Sequence, residues 1–241
     1  MERKCWRIAA ILTVIYGFYT AGSTLFMRLT GTGIRKKAAG RRGIALTFDD
    51  GPNAKFTPQL LDLLSHYRIK VVFFVTGRHA EQHPDLLRRM HAEGHAIGIH
   101  HYDHHSLWRL TPRQARREIR RTAVAIERIT GSRPRFYRPP YGRLTAALPV
   151  VARSYETILW THILGDWKTA MCDSKLLQRL RDVPDDGSIV VLHDDGSNSG
   201  ADDEAPGHML RVLREYLQES AERGIVFLPP DCIADCDEDG P

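Results

Sequence analysis

Two stretches of this sequence contain side chains with the types and spacing to bind a metal ion. Asp49 to Pro52 reads DDGP, and His100 to His105 reads HHYDHH, with four histidines in six positions. Histidines four apart lie on one side of a helical turn and can share an ion, in register 100/104 or 101/105. One carboxylate and two imidazoles leave coordination positions open, which is typical of a catalytic metal. The pattern predicts metal-assisted hydrolysis. Taken alone, DDGP is equally typical of a turn.

Short apolar runs alternate with helical stretches along the chain. We predict strands at 44–48, 71–75, 96–99, 136–137, 157–160, 189–192 and 225–228. We predict helices at 57–67, 84–92, 111–129, 144–154, 174–183 and 208–223. Because the strands are apolar rather than alternating, both faces of a parallel sheet are expected to be covered. Seven or eight such units predict a small (β/α) barrel, with an open doubly wound sheet as the alternative.

The polar candidates follow the carboxyl ends of these predicted strands. They are Asp49, Asp50, His100, Arg138, Asp166, His193 and Asp194. In a (β/α) barrel the loops at this end build the active site, so the order of residues predicts that they meet.

Five motifs resemble, in order, the signature motifs of the polysaccharide deacetylase family. This is carbohydrate esterase family four, whose members share the chitooligosaccharide deacetylase homology domain. The motifs are TFDDGP at 47–52, His100-x3-His104-x2-Leu107, RPPYG at 138–142, Asp166-Trp167 and VLHD at 191–194. The resemblance extends over residues 43–229. It implies a distorted (β/α) barrel that removes acetyl groups from N-acetylated or O-acetylated sugars.

The resemblance also implies a role for each motif residue. Asp50, His100 and His104 would hold a divalent metal, most commonly Zn²⁺, with Co²⁺, Ni²⁺ or Mn²⁺ as alternatives. Asp49 would be the general base, and Arg138 would hold it by charge-assisted hydrogen bonds.

The remaining motif residues would act on the acetyl group and the leaving amine. The backbone N–H of Tyr141 would stabilise the oxyanion. His193 would be the general acid, with Asp166 fixing its tautomer. Trp167 and Leu192 would form the apolar pocket for the acetyl methyl group.

The sequence departs from the family pattern at two places. Leu107 lies three residues after His104, which favours the 100/104 register, but His101 stands where a Ser or Thr usually braces the metal loop. The acidic residue that often precedes the Asp166-Trp167 pair is absent from segment 161–165. We expect altered substrate binding rather than lost activity.

Residues 8–27 form an uncharged run between Arg7 and Arg28. Twenty residues span about 30 Å, so the run predicts a signal anchor over 1–30 or a signal peptide cleaved after 21–23. A buried core helix is a third interpretation. Residues 31–42 would be a basic linker, 43–230 the catalytic domain and 231–241 an acidic tail, in which Cys232 and Cys236 could form a disulfide.

The net charge of +5 is unevenly distributed. Residues 1–42 carry +8, which leaves −3 for the rest and no basic face for nucleic acid. The positive-inside rule alone would keep the catalytic domain in the cytoplasm. The expected reaction on a glycan outside the membrane instead favours a single-pass membrane protein with an extracellular catalytic domain. A secreted protein is the alternative. We expect a monomer.

The favoured function is N-deacetylation of peptidoglycan or a chitin-like polymer that contains N-acetylglucosamine. Alternatives are O-deacetylation of xylan or another glycan, hydrolysis of a small cyclic amide, or non-catalytic glycan binding.

Overall fold

A curled, parallel sheet of seven strands forms the centre of the protein, which confirms the predicted class of fold. The computed structural model describes residues 2–38 and 40–234. The strands are β1 (Gly43–Asp50), β2 (Val72–Val75), β3 (Ala96–Ile99), β4 (Phe136–Tyr137), β5 (Glu156–Thr157), β6 (His162–Ile163) and β7 (Asp186–His193). Their order is β5-β4-β3-β2-β1-β7-β6, and every pair is parallel.

Helices cover the outside of the sheet. They are α3 (Thr57–His66), α4 (Gly77–Gln82), α5 (Pro84–Ala92), α6 (Pro112–Thr130), α7 (Leu148–Val151), α8 (Thr169–Met171), α9 (Leu177–Arg181) and α10 (Ala205–Glu222). A π-helical turn, Cys172–Leu176, joins α8 to α9. Thr111 begins α6 with a capping box that includes Gln114, as the Thr-Pro start predicts. Helices α4 and α8 are additions to the predicted set.

The two faces of the sheet have different cores. Leu46, Phe73 and Val190 belong to the larger core, which contains the apolar residues of the helices. The concave face carries a smaller cluster that includes Ala45, Val72, Phe74, Phe136, Ile158 and Ile189. Since alternate strand residues share a face, the next positions on the concave side are Thr47, Asp49, His100, Arg138, Trp160, Val191 and His193. The strand period thus directs the polar residues to one place.

Some predicted elements are wrong in extent or type. Segment 225–228 makes a single bridge, Ile44 to Phe227, rather than a strand, because Pro229 and Pro230 follow it immediately. The predicted helix 144–154 shrinks to α7. The N–H and C=O of Leu144 are bound by side chains instead, the N–H by Thr24 and the C=O by both Thr24 and Trp108.

The predicted strand 157–160 is also shorter than expected. Strand β5 ends at Thr157, and the carbonyls of Ile158 and Leu159 accept hydrogen bonds from Arg138. The chain then forms a separate strand, β6, on the opposite edge of the sheet.

The N-terminal helix is continuous from Lys4 to Thr30 and is long and apolar enough to cross a membrane. It consists of α1 (Glu2–Gly17), a π-helical turn (Phe18–Gly22) and α2 (Ser23–Thr30). The expected linker, 31–42, packs on the sheet through bridges from Arg35 to Ile158 and from Lys37 to Ser188. Cys236 and most of the acidic tail lie outside the described residues.

Candidate active site

The carboxyl ends of the central strands open into a cavity of about 300 Å³. Asp49, Asp50, His100, His104 and His193 all line this cavity. Residues from three separate motifs therefore meet at one place, as their positions after the strands predict.

Three ligand atoms converge on one side of the cavity. Oδ1 of Asp50 lies 3.3 Å from Nε2 of His100 and 3.2 Å from Nε2 of His104. This oxygen is buried and has no hydrogen-bond donor among the described residues. An unsatisfied buried carboxylate oxygen is costly, and a cation shared with the two imidazoles would satisfy it. One carboxylate and two imidazoles fit Zn²⁺ and related divalent ions.

The charge at Asp50 also suits a cation. Burial alone would raise the pKa of this carboxyl, but the His104 and His100 imidazoles outweigh burial and hold the pKa well below its usual value. The Asp50 carboxyl is therefore ionised where the three ligand atoms meet, which is the form in which a carboxylate binds a metal.

The backbone and a hydrogen bond aim these ligands. Nδ1 of His100 donates to the carbonyl of Arg138 at 2.8 Å, which leaves Nε2 to face Asp50. Asp50 has φ 82° and His104 has φ 55°, both in the left-handed region that non-glycine residues seldom adopt. These turns bring Asp50 into the cavity beside its neighbour Asp49.

The histidine segment is a loop, so the helical turn expected from the four-residue spacing is wrong. His101 has φ 63°, which breaks any helical path between His100 and His104. The His101 ring is buried away from the cavity. Its Nδ1–H donates to the carbonyl of His105 at 2.6 Å, and its Nε2 lies 2.8 Å from the hydroxyl of Tyr137. Burial lowers the pKa of His101 to about 3, so this imidazole braces the loop as a neutral ring.

His105 belongs to a second group of potential ligands, with Asp103 and Glu118. In this group Asp103 pairs with Arg78. Glu118 accepts the backbone N–H groups of Tyr102 and Asp103. These acceptors already have donors, unlike Asp50 Oδ1. Geometry thus favours the 100/104 register.

Asp49 is held by a completely buried arginine. Nη1 of Arg138 donates to Oδ1 of Asp49 at 2.6 Å and to Oγ1 of Thr47 at 2.8 Å. The other guanidinium nitrogens bind the carbonyls of Ile158 and Leu159. The arrangement fixes the direction of the Asp49 carboxylate, with Oδ2 lying 3.9 Å from Nε2 of His100.

His193 lies beside Asp49, at the paired position on the neighbouring strand β7, and is paired with Asp166. Its Nδ1 lies 3.1 Å from Oδ1 of Asp166, whose Oδ2 accepts the backbone N–H of His193 at 2.6 Å. Burial opposes a charge on this imidazole, but Asp166, helped by Asp50 and Asp49, raises the pKa of His193 to about 10. The ring is therefore an imidazolium at neutral pH, with Nε2 available as a donor.

Asp194 supports the turn that carries Asp50. Its Oδ1 accepts the N–H of Gly51 at 3.2 Å, and its Oδ2 accepts the hydroxyl of Thr57 at 2.5 Å. A side chain at position 51 would lie within 2.2 Å of Oδ2, so glycine is required there. Asp194 belongs to the VLHD motif, but the sequence alone did not predict its hydrogen bonds with Gly51 and Thr57.

The apolar lining differs in part from the expected pocket. Tyr141 and Trp167 line the cavity, and the Trp167 ring packs edge-on against His193 at 5.5 Å between centroids. Leu192 is fully buried in the helix-facing core, because it points the opposite way from His193. Val191 lines the cavity in its place, together with Trp160 and Ile163, which the motifs do not single out. The two-residue strand period was the signal that could have identified Val191.

Comparison with known proteins gives the relationship directly. A family model described as Polysaccharide deacetylase matches residues 36–157. The chain belongs to the polysaccharide deacetylase family. That span contains Asp49, Asp50, His100, His104 and Arg138, whereas Asp166 and His193 follow it.

Two curated relatives and one solved structure illustrate the family resemblance. The peptidoglycan-N-acetylglucosamine deacetylase of Bacillus cereus is 34% identical over 152 residues, covering 62% of this chain and 55% of that protein. The match thus spans about half the length of this relative. The chitooligosaccharide deacetylase of Bradyrhizobium is 37% identical over 164 residues, covering 65% and 72%. A crystal structure of a peptidoglycan N-acetylglucosamine deacetylase with 4-naphthalen-1-yl-N-oxidanyl-benzamide has a TM-score of 0.75 and 26% identity, covering 86% of this chain and 95% of that one.

Neighbouring histidines provide a matched test of the metal ligands. We expect His104→Ala to lower Zn²⁺ affinity on the order of 100-fold or more, because even losing a supporting partner of a ligand costs 10–100-fold. His105→Ala should bind Zn²⁺ like the wild type, since its ring is exposed and lies outside the site. Isothermal titration calorimetry measures both. A larger loss in His105→Ala than in His104→Ala would contradict the 100/104 register.

The Asp166–His193 pair predicts a pH effect in protein freed of metal by EDTA. A histidine whose pKa is about 10 when folded and about 6.5 when unfolded stabilises the fold below pH 6.5, and this stabilisation is lost as the pH rises towards 10. We expect Asp166→Asn to reduce the fall in the free energy of unfolding between pH 6.5 and 10, measured by urea unfolding. Asp173→Asn, which removes the partner of the more exposed His208, is the control. Equal slopes in wild type and Asp166→Asn would refute the assignment.

Proposed function

We propose that this chain removes N-acetyl groups from a polysaccharide that contains N-acetylglucosamine, such as peptidoglycan or a chitin-like polymer. The observation that carries the proposal is the placement of Asp49 and His193 in one cavity with the converging Asp50, His100 and His104. The relatives support the substrate class, since their names describe deacetylases of peptidoglycan and chitooligosaccharides.

Asp50, His100 and His104 would hold the metal. A divalent ion bound there, Zn²⁺ by donor chemistry, supplies Lewis-acid polarisation of the acetyl carbonyl and makes a water molecule more acidic. The Arg138 carbonyl keeps the ligating nitrogen of His100 in place.

Asp49 acts as the general base. Its carboxylate takes a proton from the attacking water, while Arg138 prevents it from rotating away. Asp49 follows Thr47 on the concave face and enters the cavity beside Asp50, so the base stands next to the predicted metal ligands.

His193 acts as the general acid. Its imidazolium donates the Nε2 proton to the amide nitrogen as the C–N bond breaks, and Asp166 keeps Nδ1 protonated. The water oxygen ends in acetate, and the sugar leaves with a free amine. The Asp49 carboxylate and the His193 imidazolium then return to their starting states by exchanging protons with solvent.

The cavity lining fits an acetamido group. The backbone N–H of Tyr141 would stabilise the oxyanion, and Trp167, with Val191 nearby, would contact the acetyl methyl group. Tyr141 is about half exposed and packs against the ring of His104, so its side chain would also contact the glycan beside the metal.

The location follows from the substrate. We propose that residues 43–230 form the catalytic domain and act outside the cell membrane as a monomer, where cell-wall polymers lie. The N-terminal helix would attach it to the membrane, with release by signal cleavage as the alternative.

Asp49→Asn separates catalysis from metal binding. The amide keeps the size of the side chain but cannot accept the proton, so we expect acetate release from chitopentaose to fall on the order of 10²–10⁴-fold with Zn²⁺ affinity retained. Asp62→Asn, at an exposed carboxylate, is the matched control. Normal turnover by Asp49→Asn would show that another group is the base.

A further inference from the structure

The second half of the N-terminal helix is attached to the catalytic domain through one stripe of residues. Tyr16, Thr20, Thr24 and Arg28 recur every four positions, which places them on one face. The hydroxyl of Tyr16 donates to the carbonyl of Trp108 at 2.6 Å, and Thr20 is buried. The first half differs, since Ile8, Ile11, Leu12, Val14 and Ile15 are all exposed.

Thr24 makes the most specific contact. Its hydroxyl accepts the N–H of Leu144 at 2.9 Å and the indole N–H of Trp108 at 3.2 Å. The same hydroxyl lies 2.8 Å from the carbonyl of Leu144, which also accepts the Trp108 indole N–H at 3.0 Å. One hydroxyl thus contacts both backbone groups of Leu144, at the start of the predicted helix 144–154.

Arg28 reaches the turn that lines the cavity. Its Nη2 donates to the carbonyl of Gly142 at 3.3 Å, and its guanidinium lies 5.0 Å from the centre of the Trp160 ring. A Cβ atom at position 142 would lie 2.3 Å from this nitrogen and 2.5 Å from the Trp160 ring. Arg28 and Trp160 therefore pack directly against the backbone of Gly142. Tyr141, the neighbour of Gly142, and Trp160 both line the cavity.

We propose that the stripe Tyr16–Arg28 is a positioning element of the active site, in which Thr24 and Arg28 hold the 139–144 turn and the Trp160 ring in place. This role rests on the proposed function, because the groups positioned are Tyr141 and Trp160 of the same cavity. The N-terminal helix would then be part of the enzyme as well as its attachment to the membrane.

The docking limits how the helix meets a membrane. Residues 4–15 are the part outside the stripe, and twelve helical residues span about 18 Å, against the roughly 30 Å of a bilayer core. The helix therefore cannot cross the bilayer with residues 8–27 while the whole stripe stays docked. Phe18, Leu25, Phe26 and Leu29 remain exposed on the opposite side of the docked half and would face lipid.

Threonine variants of the full chain in detergent micelles test the proposal. Thr24→Val keeps the shape and removes the hydroxyl, whereas Thr24→Ser keeps the hydroxyl. Thr13→Val is the matched control, because within residues 2–38 and 40–234 the Thr13 hydroxyl bonds only to the carbonyl of Ala9 in its own helix. We expect Thr24→Val to speed hydrogen exchange of the Gly142 and Arg143 amides about fivefold to tenfold, the equivalent of one lost hydrogen bond.

Activity supplies the second measurement. With chitopentaose, kcat/KM of Thr24→Val should fall about tenfold with Zn²⁺ affinity unchanged, because displaced binding groups slow the reaction. Thr24→Ser and Thr13→Val should both match the wild type. Unchanged exchange at Gly142 and Arg143, or faster exchange with unchanged kcat/KM, would overturn the positioning role.

Failure of the proposed function is distinguishable from failure of this inference. A wild-type chain that binds Zn²⁺ but releases no acetate would refute deacetylation. In that case, weaker binding of chitopentaose to Thr24→Val than to Thr13→Val would still support positioning of the cavity, and equal binding would overturn it.

Discussion

The buried guanidinium group of Arg138 holds the candidate site together. The guanidinium of Arg138 is shielded from solvent, and burial lowers its pKa while Asp49 acts in the opposite direction. Its donors reach the Asp49 carboxylate, the Thr47 hydroxyl and the carbonyls of Ile158 and Leu159. Removing one partner of a buried ion pair typically costs about 3–5 kcal/mol, so these contacts constrain the whole centre of the sheet. The carbonyl of the same residue orients His100, which links the base to the predicted metal ligand.

The site brings several buried carboxylates close together. Asp49, Asp50, Asp166 and Asp194 are all buried, and the cationic groups that face them include Arg138 and His193. Burial raises the pKa of Asp194 to about 7, and the negative charges of Asp195 and Asp50 add to this shift. A divalent cation at Asp50 would reduce this repulsion. The repulsion between these carboxylates and the unsatisfied Oδ1 of Asp50 therefore both favour a divalent cation at this place.

The sequence predicted the parts of the fold that depend on local pattern. Apolar runs located six of the seven strands, and the positions after them predicted which side chains meet. The departures have tertiary causes: Thr24 and Trp108 occupy Leu144, and Arg138 occupies the carbonyls beyond β5. His101 and His104 both adopt left-handed backbone conformations, so the helical turn expected at 100–105 did not form. The docked face of the N-terminal helix could not be predicted from the sequence. Its stripe of Tyr, Thr and Arg residues is equally compatible with a membrane-spanning helix of modest hydrophobicity.

A crystal structure of the zinc-loaded chain, with anomalous diffraction recorded at the zinc edge, would locate the metal among the candidate ligands. We expect one strong peak about 2.0–2.2 Å from a carboxylate oxygen of Asp50 and from Nε2 of both His100 and His104. A peak between Asp103, His105 and Glu118 with none at Asp50, or no peak in the cavity at saturating zinc, would contradict it.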